Sequence, residues 1–139
     1  MFFQSALSSG VTQQTIRASC DNLRNLCFGL SKEAGWWNDL YTHESLVNRP
    51  HIVGEKMMLI VSEVSEAMEG YRKGINDDKL PSRKMVEVEL ADALIRIFDL
   101  AGALDLDIGG ALVEKLVYNV NREDHSIEQR KAPGGKAFE

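Results

Sequence analysis

Apolar residues recur at helical spacing along four stretches of this chain. Over residues 12–34, Ile16, Leu23, Cys27, Leu30 and Ala34 return at intervals of three, four and seven, with Thr12 as a candidate N-cap and Gly35 as a stop. Over 52–73, Met57, Ile60, Val64, Ala67 and Tyr71 make a narrow seam, widened by Val61 and Met68; Arg72 and Lys73 suit the helix C-terminus and Gly74 ends it. Over 82–105, Val86, Leu90, Leu94, Ile97, Ala101 and Leu104 share one side, and Ala91, Ile95 and Phe98 carry apolar character far around. Over 108–123, Asp107 can cap a helix whose apolar surface is Ile108, Leu112, Val113, Leu116, Val117 and Val120; Gly109-Gly110 either weaken its first turn or allow close packing. No period-two run insists on a sheet. The pattern predicts an all-α four-helix bundle over residues 12–123. A flexible tail is expected over 1–11 and an extended polar tail over 124–139. Residues 38–52 form a long loop able to cover a site.

The polar positions are less ordinary. Glu63 and Glu66 stand at i, i+3 on the second helix, and Glu89 and Asp92 at i, i+3 on the third. That spacing puts each pair on nearly one face, where like charges repel. On the third helix Glu89, Asp92, Arg96 and Asp99 fall within roughly 80° of one another. Such a stripe faces either water or an internal polar site, and in a groove it would need a cation or raised pKa values. Oxygen ligands suit hard cations: magnesium, manganese or calcium. Asp99 is expected to orient Arg96 or a metal-bound water. Lys115, Asn119 and Arg122 lie within about 60° on the fourth helix, a solvated basic face or a phosphate contact. Trp36 and Trp37, beside Gly35, either roof the core or offer a stacking platform for a base. Together these groups suggest metal-assisted hydrolysis of a phosphoanhydride. A di-iron carboxylate bundle would want Glu-x-x-His from two helices. Here His43, His51 and His125 all fall outside the carboxylate helices.

Composition narrows the partners. The chain has 139 residues, 44% hydrophobic and 27% charged, within the range of one ordinary globular domain. A formal charge of −5 argues against nucleic acid as the main ligand. Cys20 and Cys27 lie seven positions apart on one helix, too far to bridge each other, and read as reduced thiols. No signal peptide or membrane span is expected, which points to the cytoplasm.

The double motif resembles the MazG-type all-α nucleoside triphosphate pyrophosphohydrolases. The resemblance rests on Glu63-x-x-Glu66 and Glu89-x-x-Asp92, with their settings Leu59-Ile-Val-Ser-Glu-Val-Ser-Glu-Ala-Met-Glu-Gly and Val88-Glu-Leu-Ala-Asp-Ala-Leu-Ile-Arg-Ile. Lys115-Leu-Val-Tyr-Asn119-x-x-Arg122, followed by a Gly-Gly-Lys tail, is also similar; the likeness covers roughly residues 20–138. It implies Mg²⁺-dependent hydrolysis of a nucleoside triphosphate to monophosphate and pyrophosphate, with Mn²⁺ as a possible substitute, in nucleotide-pool house-cleaning. Glu63, Glu66, Glu89 and Asp92 match the family's metal ligands. Lys115, Asn119 and Arg122 match phosphate-binding positions, and Trp36 or Trp37 would lie near the base. The resemblance also implies a bundle completed by dimerisation, as a homodimer or homotetramer. Relatives of the same layout include dUTP hydrolases and phosphoribosyl-ATP pyrophosphatase. A non-catalytic helical interaction module is the remaining alternative.

Overall fold

The computed structural model describes residues 2–122 and 126–135, and every regular element among them is a helix. In chain order these are α1 (Phe2–Leu7), α2 (Gly10–Glu33), α3 (Pro50–Lys73), α4 (Met85–Ala103), α5 (Ile108–Val120) and α6 (Ile127–Lys131). None of them is long and apolar enough to cross a membrane. The chain divides into two compact units, residues 1–21 with 107–139, and residues 22–106. Helix α2 contributes its first half to one and its second half to the other.

In the unit of residues 22–106, α3 and α4 form a helical hairpin. Pro50 opens α3 because its fixed φ suits a first turn that needs no amide donor. Gly74 closes it in the left-handed region (φ 64), and its amide bonds back to the Gly70 and Tyr71 carbonyls. At the start of α4, Glu87 Oε2 accepts from the Lys84 amide at 3.3 Å. Gly70 lets the helices approach: a Cβ there would lie 2.8 Å from Met85 Cβ. The hydrophobic centre is Trp37, Leu100 and Ala103, flanked by Phe28, Val47, Ile52, Val53, Ile60 and Leu104. Trp37 meets Phe28 edge-to-face, ring centroids 6.1 Å apart.

The four long stretches are helical as the periodicity predicts, but their seams do not all turn inward. Leu23, Leu30, Met57, Val64, Met68, Tyr71, Leu90 and Leu94 are exposed. The faces of α3 and α4 that are buried carry Glu63, Ala67 and Gly70 on one helix and Glu89, Ala93 and Asp99 on the other. Periodicity shows that a helix has an apolar face; it does not show which neighbour covers that face.

In the other unit, Asp107 caps α5, its Oδ1 accepting from the Gly110 amide at 2.7 Å. The Gly109-Gly110 pair provides close packing: a Cβ at Gly109 would lie 3.1 Å from the backbone of Arg17 on α2. Val113 is fully buried there. Short helices α1 and α6 stand where the sequence pattern suggested only tails. His125, Lys136 and the last tail positions lie outside the described residues.

Candidate metal centre

The hairpin of α3 and α4 and its connecting loop line an open polar cavity of about 480 Å³. Glu63 and Glu66 reach it from α3, Glu89, Asp92 and Arg96 from α4, and Asp77, Lys79 and Leu80 from the connecting loop. Each carboxylate pair comes from one helical turn, as the i, i+3 spacing requires. Oxygens of Glu63, Glu89 and Asp92 lie within 4.8 Å of one another. Glu63 and Glu89 are buried, 6% and 8% exposed, while Asp92 is more open. Glu66 lines the same cavity but stands outside that close triad.

Such crowding has an electrostatic consequence. The Glu89 carboxyl is pushed up to about 7, first by burial, then by a hydrogen bond shared with Glu63, then by repulsion from Glu66, Glu63 and Asp92. At neutral pH the bare cluster therefore retains part of a proton. Arg96 relieves one carboxylate, its Nε donating to Glu63 Oε1 at 2.6 Å. Two basic residues, Arg96 and Lys79, against five acidic ones leave an excess of negative charge along the lining. All the converging ligand atoms are carboxylate oxygens, which fits a hard divalent ion and gives a soft one no thiolate or imidazole.

A second polar cluster lies along the same two helices. Lys56 is seven residues before Glu63 on α3, and Asp99 seven after Asp92 on α4, a displacement of about 10 Å along each helix. Trp37 Nε1 donates to Asp99 Oδ1 at 2.7 Å. Lys56 Nζ lies 3.7 Å from Asp99 Oδ2 and 4.5 Å from the centre of the Trp37 ring. Asp99, expected to orient Arg96 or a metal-bound water, instead anchors Trp37 and Lys56, while Arg96 pairs with Glu63. Trp37 is 1% exposed with a face taken by Lys56, so it serves the core; Trp36 is 70% exposed and keeps an open surface.

Lys115, Asn119 and Arg122 belong to the unit of residues 1–21 and 107–139. Lys115 Nζ and the Arg122 guanidinium both lie against the Tyr118 ring, at 4.7 and 5.5 Å. Asn119 Oδ1 is buried and has no hydrogen-bond partner among the described residues.

Three site residues were not foreseen from the sequence. Asp77 and Lys79 sit in the connection Gly74-Ile-Asn-Asp-Asp-Lys-Leu-Pro81, which is rich in turn residues, and no periodicity marks a loop. Their signal is the run Asp77-Asp-Lys-Leu80, in which a carboxylate can accept from amides two and three residues on. Lys56 carries no such signal: beside Glu55 it reads as one of an ordinary pair of charged helix residues. Comparison with family models, curated proteins and solved structures gave no match.

Proposed function

We propose that this protein hydrolyses a nucleoside triphosphate to the monophosphate and pyrophosphate, with Mg²⁺ held by Glu63, Glu89 and Asp92 and supported by Glu66. The observation that carries this reading is the convergence of three carboxylates within 4.8 Å in a cavity whose charge is not balanced by protein. Bound there, a divalent ion supplies charge neutralisation at phosphorus and acidifies a water. The protein's own part is to orient the ligands through two packed helices and to hold Glu63 by the Arg96 hydrogen bond. A carboxylate of the cluster that is not engaged with the ion takes the proton from the attacking water. Lys115, Asn119 and Arg122 are proposed to hold phosphate, and the open face of Trp36 to receive the base. The MazG resemblance supports the assignment, with dUTP or phosphoribosyl-ATP as the competing substrates.

The same reading includes a four-helix bundle completed by self-association. Met57, Val61, Val64, Met68 and Tyr71 follow alternating steps of four and three along α3, and each is at least half exposed. Leu90 and Leu94 add to that apolar surface on α4. A heptad-like stripe of this kind is the usual seam between helices of two chains.

A screen for pyrophosphate release over the common and modified nucleoside triphosphates, with and without Mg²⁺, tests the proposal. Release from at least one of them, dependent on Mg²⁺, is expected. Absence of release from every one, together with no thermal stabilisation by Mg²⁺, favours the non-catalytic module.

A further inference from the structure

We propose that Lys79, on the loop joining α3 to α4, is a phosphate-binding residue whose ammonium receives the pyrophosphate end of the substrate at the carboxylate cavity. The inference rests on the nucleotide reading of that cavity and adds to it a residue that neither motif contains.

The cavity holds five carboxylates, Glu63, Glu66, Asp77, Glu89 and Asp92, and two cations, Arg96 and Lys79. Arg96 is committed to Glu63. Lys79 borders the same acidic space, yet among the described residues no carboxylate approaches its Nζ within 4.0 Å. An uncommitted cation beside so much negative charge is available to an incoming anion.

The loop is built rather than slack. Buried Asp77 accepts from the Lys79 amide at 3.0 Å and from the Leu80 amide at 2.6 Å through one oxygen, Oδ1. The Asp77 amide donates to the Arg83 carbonyl at 3.1 Å, and Asn76 Nδ2 to the Pro81 carbonyl at 2.9 Å. The Met85 amide donates to the Ile75 carbonyl at 3.1 Å, tying the loop to the first turn of α4. Lys79 thus lines the cavity from a backbone position that these hydrogen bonds hold.

Charge supplies the reason. A divalent ion offsets only part of the carboxylate excess, and a polyphosphate adds more negative charge. A cation on the phosphate side lowers that repulsion. Lysine serves here as a flexible point charge that follows the phosphate as it leaves.

The test uses wild type, Lys79→Ala and Lys79→Arg, titrated calorimetrically first with Mg²⁺ alone and then with magnesium pyrophosphate. Removing the ammonium leaves Mg²⁺ affinity unchanged or slightly tighter, because the cavity becomes more negative. Magnesium pyrophosphate should bind about tenfold more weakly to Lys79→Ala, as expected for loss of one charged phosphate contact, and Lys79→Arg should recover most of it. With a triphosphate substrate, KM rises more than kcat falls. Equal magnesium pyrophosphate affinity in wild type and Lys79→Ala, in a wild type that releases pyrophosphate, overturns the role of Lys79 alone. A wild type that binds neither Mg²⁺ nor magnesium pyrophosphate overturns the nucleotide reading and Lys79 with it.

Discussion

Replacing Glu89 by glutamine gives the most informative perturbation, because in the metal-free protein it removes a titration and almost nothing else. Glutamine keeps the shape of the protonated acid. In the bare protein the Glu89 carboxyl ionises only near pH 7, against an ordinary value of 4.5. Between those two values the folded chain holds a proton that the unfolded chain has released. Stability therefore falls as pH rises from about 4.5 to 7 and is flat above that window. The full difference corresponds to about 3 kcal/mol. The cavity opens to water, so screening reduces the expected loss to roughly 1–2 kcal/mol. That is a decline of roughly 3–8 °C in Tm between pH 5 and pH 8, measured against Glu89→Gln, which lacks this component. The assay is thermal unfolding of both proteins in chelator-treated buffer across that range. Saturating Mg²⁺ at pH 8 should then reverse the order. Wild type gains about 2.7 kcal/mol at a hundredfold excess over Kd, while Glu89→Gln gains much less. A wild-type curve parallel to that of Glu89→Gln from pH 5 to 8 would refute the reasoning.

Three further outcomes follow from the same geometry. Asp99→Ala leaves Lys56 and the Trp37 indole N–H without their shared acceptor and should cost about 2–4 kcal/mol in denaturant unfolding. Its Mg²⁺ affinity should be unaffected; a loss of Mg²⁺ binding without a loss of stability would return Asp99 to the metal site. Gly70→Ala pushes a Cβ into Met85 across the α3–α4 contact and should cost about 1–3 kcal/mol, whereas Gly54→Ala, with open space around it, should not destabilise. Val64→Lys places a charge in the middle of the exposed α3 stripe and, on the proposed self-association, should shift sedimentation from dimer to monomer; a wild type that sediments as a monomer, or an oligomer of unchanged mass in the variant, would remove that face from the proposed interface.

Much of the helical architecture is visible in the sequence because intervals of three and four residues are a direct consequence of helix geometry. Gly74 and Asp107 mark helix ends for local reasons that need no tertiary contact, whereas Pro50, placed in the loop by its surroundings, opens α3 two residues earlier than the pattern predicts. The two carboxylate pairs are legible for the same reason, and α3 and α4 bring three of their four members together. What periodicity does not carry is which side of a helix meets which neighbour. Met57, Val64 and Leu94 look like core residues and are exposed, while Glu63, Glu89 and Asp99 are buried in the hairpin beside Ala67, Ala93 and Ala101. Adjacent Trp36 and Trp37 are equivalent in composition but opposite in exposure, because burial there depends on Asp99, sixty-two residues away from Trp37. Asp77 and Lys79 reach the site through turn hydrogen bonds, which leave no repeating trace along the chain.

The central claim is the bond that is broken. Incubating the protein with Mg²⁺ and the best substrate from the release screen in ¹⁸O-enriched water, and following products by phosphorus NMR, tests it directly. Nucleoside monophosphate and pyrophosphate are expected as the only products, with one ¹⁸O incorporated, and no reaction by Asp92→Asn. Diphosphate with orthophosphate, or equal turnover by Asp92→Asn, would contradict it.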